Sequence, residues 1–103
     1  MPATAYPHIL LSYDGVAMIE GTTIKVVEVV MDKLAHGWDA EQIARQHPGL
    51  ELGAIHSALA YYYDHRAELD QQISDRLRRE DELLGRIGTS SVRLKLQAAR
   101  RGQ

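Results

Sequence analysis

The hydrophobic positions change period along the chain, and that change sets the expected elements. His8-Ile9-Leu10-Leu11 is a short apolar run, and Asp14-Gly15 behind it is a turn signal. Val16 to Ile19 and Thr23 to Val26 then flank Glu20-Gly21-Thr22 as two strands flank a tight turn. Residues 8 to 26 are therefore expected to form a small sheet. Beyond it Val26, Val27, Val30, Met31 and Leu34 recur at helical spacing, and Gly37 stands where a C-cap glycine belongs, which predicts a helix of about three turns. Asp39 followed three residues later by Gln42 is a capping-box variant that starts a second helix near Ala40. Pro48 must stop it, because proline disfavours a helical residue ahead of it. Helix, link, short helix, His47-Pro48-Gly49-Leu50 turn and new helix make the outline of a helix-turn-helix.

The third helix carries the longest pattern. With residues placed 100° apart, Ile55, Leu59, Tyr62, Leu69, Ile73, Leu77, Leu84 and Ile87 fall within about 80° of arc. Read as one helix, this stripe runs for about 50 Å. Its first half can pack on the preceding helices. The half from Leu69 to Ile87, with Arg76, Arg78, Arg79, Glu80, Asp81 and Glu82 around it, is expected to need another chain or to fray. Gly85 and Gly88 weaken the helix, and Val92 to Gln97 alternates like an edge strand, although Ala98, Ala99 and the arginines suit a helix equally well. The expected fold class is mostly α: a small N-terminal β-hairpin or sheet, a helix-turn-helix three-helix core, and an extended C-terminal helix. Residues 1–68 would form the core and residues 69–103 an extended helix with a basic partner-binding tail.

Composition narrows the function classes. A chain of 103 residues is one domain or a smaller one with an appendage. A chain of this size buries about 60 to 65% of its unfolded surface, so oligomerisation or complex formation is expected for any part that cannot join the core. The absence of cysteine removes disulfides, thiolate metal sites and a cysteine nucleophile, and points to a reducing cytoplasm. No long apolar run and no basic leader followed by an apolar segment is present, so neither a membrane span nor a signal peptide is expected. The net charge of -2 hides an asymmetry: residues 1–60 hold three bases and seven acids, residues 61–103 nine bases and seven acids. From Gly85 onward Arg86, Arg93, Lys95, Arg100 and Arg101 are accompanied by no acidic side chain, which marks either a solvated tail or a segment that binds a partner.

Catalysis is not expected. His8, His36, His47, His56 and His65 are scattered, no phosphate loop is present, and Ser57 lies in no nucleophile elbow. His56 and His65 would sit about 13 Å apart along a helix, too far to share a metal. No cofactor is implied, and the tyrosines around Asp64 and His65 read as core and interface residues. For DNA, the exposed opening of the third helix would present Glu51, Ala54, His56, Ser57 and Tyr61, with Lys33, Arg45 and Gln46 placed to hold phosphates. This recognition surface is poor, because Arg or Lys to guanine and Asn or Gln to adenine are the strong base contacts. A dimer would be needed for useful affinity.

Several segments in order carry a resemblance. Ile19-Glu20-Gly21-Thr22-Thr23-Ile24-Lys25-Val26, Leu34-Ala35-His36-Gly37-Trp38, Glu41-Gln42-Ile43, His47-Pro48-Gly49-Leu50, Ile55 and Ala58-Leu59-Ala60-Tyr61-Tyr62 resemble the bacterial domain of unknown function 433 family over roughly residues 8 to 70. Thr23 departs from the family's usual Arg, which removes one planar bidentate ligand, and Ala17 stands where Pro is common. The resemblance implies a helix-turn-helix antitoxin of a type II toxin-antitoxin system that neutralises a PIN-like nuclease toxin and binds its own operator DNA. Leu69, Ile73, Leu77, Leu84, Ile87, Val92, Arg93, Leu94, Lys95, Leu96, Arg100 and Arg101 would then form the partner-binding surface. The competing expectation is a homo-oligomeric interaction module that uses the helix-turn-helix shape for packing alone.

Overall fold

Asp14-Gly15 reverses the chain as its composition implies. Gly15 has φ +79° and its N–H donates to the Ser12 carbonyl, while the Ser12 hydroxyl accepts from the Val16 N–H. The turn pairs β1 (Ile9–Leu11) with β2 (Ala17–Ile19) antiparallel, in the register Ile9 with Ile19 and Leu11 with Ala17. The expected third strand does not form. A single bridge joins Met18 to Lys25, and the Thr22 hydroxyl, donating to the Ile19 carbonyl and accepting from the Ile24 N–H, turns the chain directly into a helix at Val26. These facts come from a computed structural model that describes residues 2–84.

Four helices follow: α1 (Val26–His36), α2 (Ala40–Gln46), α3 (Leu52–Asp64) and α4 (Arg66–Leu84). The molecule is mostly helical behind a two-stranded hairpin, as the periodicity predicts. The α1 helix opens with Val26, Val27, Val29 and Val30, all buried, and closes on Gly37 in the left-handed region. Valine is a modest helix former, so this segment is helical because both sides of its first turns are covered. In α2 the capping box is complete: Asp39 accepts from the Gln42 N–H and Gln42 accepts from the Asp39 N–H, each at 2.8 Å. Gly49, at φ +91°, makes the turn before α3, and His47 ties it to α1 through Asp32 at 2.5 Å.

The long third helix is in fact two. The His65 N–H is shared between the Tyr61 and Tyr62 carbonyls at 2.9 and 3.1 Å, and its residue leaves helical geometry at φ -123°, ψ 37°. The His65 ring stacks on Tyr61 at 4.0 Å, and Nδ1 lies 2.9 Å from the Tyr61 carbonyl oxygen. Tyr6, from the N-terminal segment, packs edge-on against Tyr61 and donates its hydroxyl to Asp64. This break redirects the apolar stripe. Leu69, Ile73 and Leu77 join Ile55, Tyr62, Ile9, Ile19 and the α1 valines in one core. They are covered by this chain, so the expectation that the stripe from Leu69 onward needs another chain is corrected as far as Leu77.

Candidate nucleic-acid and partner interface

The α2, turn and α3 segments stand in helix-turn-helix order, with Ala40, Ile43, Leu50, Ala54, Ile55 and Ala58 holding their inner faces to the core. On the outer side Arg45 and Gln46 are exposed at the end of α2, and Lys33 is half-buried in the last turn of α1. Glu51, ahead of α3, and His56 are exposed, and Ser57 is half-buried. Tyr61 and Ala54 are corrected: both were expected on the groove-facing surface, and both are buried. Tyr61 is covered by the Tyr6 ring, a contact across 55 positions of sequence that a helical wheel does not contain.

The solvent face of α3 is therefore Leu52, Gly53, His56, Ala60, Tyr63 and Asp64, with Leu52 39% and Tyr63 55% exposed. It carries no guanidinium, ammonium or side-chain amide. Those two exposed apolar residues were not among the expected site residues, because the wheel assigns them no role beyond lying opposite the core stripe. Bases are instead on α4 and at the ends of α1 and α2.

Along α4 the expected partner residues separate. Leu69, Ile73 and Leu77 are buried in this chain's own core and present nothing to a partner, because the break at His65 turns them towards α1. Leu84 is 53% exposed, and Leu83, which was not expected, is 87% exposed. Between these groups Arg78 bridges Asp75 at 3.1 Å and approaches Glu82 at 4.0 Å. Ile87, Val92, Arg93, Leu94, Lys95, Leu96, Arg100 and Arg101 lie outside the described residues.

One buried charge supports this arrangement. Asp70, on α4, is 5% exposed and accepts a 2.8 Å hydrogen bond from the Tyr62 hydroxyl, with Arg66 Nε 3.9 Å away and its guanidinium over the Tyr62 ring. Burial, followed by this bond to Asp70, pushes the Tyr62 phenol up to about 12. The same direction holds for Tyr6, through its bond to Asp64, and for Tyr61, through burial. The Asp70, Tyr62 and Arg66 constellation fastens α4 to α3 across the break. Nothing in the sequence pattern singles out Asp70, since its position on the stripe's edge reads as solvated.

Among the described residues no cluster of three His, Asp or Glu side chains can hold a metal ion, and no helix is long and apolar enough to cross a membrane. No curated protein and no solved structure matches the chain. The family described as Protein of unknown function (DUF433) matches residues 4–62, which run from the segment ahead of the hairpin into α3, as far as the tyrosine that donates to Asp70. On that match, covering more than half of its length, the chain belongs to the DUF433 family.

Proposed function

We propose that this protein is the antitoxin-like component of a type II toxin-antitoxin pair in the cytoplasm, neutralising a PIN-like nuclease with its C-terminal end and binding its own operator through its helix-turn-helix. The observation that carries the reading is the end of α4. A helix buried as far as Leu77 finishes with Leu83 and Leu84 in solvent and leads into a sequence of five bases and no acidic side chain. Such an end suits a partner that offers an apolar groove beside carboxylates. A nuclease that holds its metal with acidic side chains has those carboxylates. Arg93, Lys95, Arg100 and Arg101 would pair with them while Leu84, Val92, Leu94 and Leu96 anchor the segment, and the nuclease is blocked by occlusion.

Operator binding has the thinner support. Lys33, Arg45 and Gln46 offer phosphate contacts, and Glu51, His56 and Ser57 are the remaining groove-facing polar groups. Few cationic contacts per protomer make binding weak and steeply salt-dependent, so a dimer is expected on the operator. Co-expression of the full chain with the adjoining nuclease tests the main claim. Charge reversal of Arg93, Lys95, Arg100 and Arg101 to Glu abolishes neutralisation, and full neutralisation by that variant would refute the reading.

A second reading, a homo-oligomeric interaction module without toxin or DNA, is favoured by the α3 face, which lacks bases and leaves Leu52 and Tyr63 exposed. Sedimentation of the Leu52→Glu, Tyr63→Glu variant separates the two: loss of self-association with neutralisation intact assigns that face to dimerisation alone.

A further inference from the structure

Where the start of α1 meets the middle of α4, a cleft of about 340 Å³ opens to solvent. Three bases line it: Lys25, immediately ahead of the first turn of α1, and Arg76 and Arg79, three residues apart on one face of α4. The amide of Gln72, one turn before Arg76, lies in the same wall, and Val16 and Val27 supply an apolar side. Asp75 is the single acid in the lining, and it is already held by Arg78 at 3.1 Å and by the Gln71 side-chain amide at 3.0 Å. Glu28 stands nearby, but one of its oxygens accepts the Lys25 backbone N–H at 2.8 Å, and the other is 4.0 Å from Arg76, beyond hydrogen-bond distance. Lys25 and Arg79 form no ion pair among the described residues. Three lining bases thus outweigh Asp75 and the Glu28 that pairs with Arg76, which leaves a concave, partly apolar space with an excess of positive charge.

From this placement we propose that the cleft is a binding site for a small phosphorylated molecule, with its phosphate between Lys25, Arg76 and Arg79 and its organic part against Val16 and Val27. Two guanidiniums and an ammonium match a doubly charged tetrahedral oxyanion, because Arg supplies paired donors in a fixed plane and Lys a mobile point charge. The volume lies within the range of small-molecule sites, so there is room for more than an isolated oxyanion. The start of α1 adds partial positive charge of the same sign. This chain's own C-terminal segment is a poor occupant, since its side chains repeat the cleft's charge. The site is separate from the exposed end of α4 and does not depend on the antitoxin reading.

Titration of the isotopically labelled full chain with inorganic phosphate and with phenyl phosphate, followed by amide chemical shifts, tests the site. Saturable shifts are expected at Lys25, Val27, Gln72 and Arg76, with phenyl phosphate the tighter ligand. The Arg76→Gln, Arg79→Gln double variant should weaken binding by about tenfold or more, because it removes both charge-assisted forks. Lys25→Gln should weaken it less, and Arg45→Gln should leave it unchanged, each variant keeping a dispersed spectrum. Three results would overturn the proposal: unsaturable shifts spread over all exposed arginines, equal affinity in the double variant, or displacement of phenyl phosphate from these amides by low concentrations of a mixed-sequence oligonucleotide. The last would assign the phosphate to a nucleic-acid backbone.

Discussion

The two halves of α4 both carry large aliphatic side chains and have opposite fates. From Leu69 to Leu77 the helix buries Leu69, Ile73 and Leu77 and brings a carboxylate, Asp70, inside with them. From Arg78 to Leu84 it buries nothing, leaving Leu83 and Leu84 in solvent among Arg79, Glu80 and Glu82. A leucine every three or four residues does not say whether it faces this chain or another. What decides is whether the fold has a surface within reach, and α1 supplies one for the first half only. The same contrast separates α3 from α4: the solvent face of α3 has no guanidinium or ammonium group, whereas α4 carries Arg78 and Arg79 in solvent.

The largest expected effect tests the inner half directly. Ile73→Ala should cost about 2 to 5 kcal/mol in urea unfolding, because Ile73 is fully buried and its removal leaves a cavity. A loss below about 1 kcal/mol would mean that the stripe is not core.

Next in size, Asp70→Ala should cost about 1 to 3 kcal/mol by leaving the Tyr62 hydroxyl buried without an acceptor. Tyr62 also gives a sign for pH. Its folded pKa, about 12, exceeds the ordinary value of 10.0, so the folded state holds the phenolic proton more tightly. The stabilisation is fully present below pH 10 and is lost as pH rises from 10 towards 12. Tyr62→Phe should reduce that alkaline slope but not erase it, since Tyr6 and Tyr61 are shifted the same way.

A smaller effect, about 1 kcal/mol, is expected for Asp39→Ala, which removes the N-cap of α2. Thermal denaturation of the variant checks it. The smallest effect on stability sharpens the comparison most. Leu83→Ser with Leu84→Ser should change unfolding by less than about 0.5 kcal/mol, because neither side chain is buried, while reducing affinity for the proposed nuclease partner.

How much of this was legible depended on whether the cause was local. Gly37, the Asp39 and Gln42 pair, Pro48 and the Asp14-Gly15 turn act within a few residues, and each marks an element boundary found in the structure. The break at His65 was not legible, since Tyr63-Asp64-His65-Arg66 contains neither proline nor glycine. It is held by Tyr6, 58 positions from the Asp64 that accepts its hydrogen bond. The burial of Tyr61 and of Asp70 follows from that same long-range geometry. The third strand was over-read because Thr23 to Val26 has strand-forming residues, yet the Thr22 hydroxyl bonds and the α1 valines commit the segment to a helix start.

The decisive measurement is amide hydrogen exchange along α4, in the free chain at low concentration and again with the proposed nuclease partner. In the free chain strong protection is expected through Leu77, with a step down by Leu83 and Leu84. On adding the partner, new protection should appear only beyond Arg78. Weak protection from Leu69 onward in the free chain, or partner-induced protection confined to the α3 face, would contradict the account.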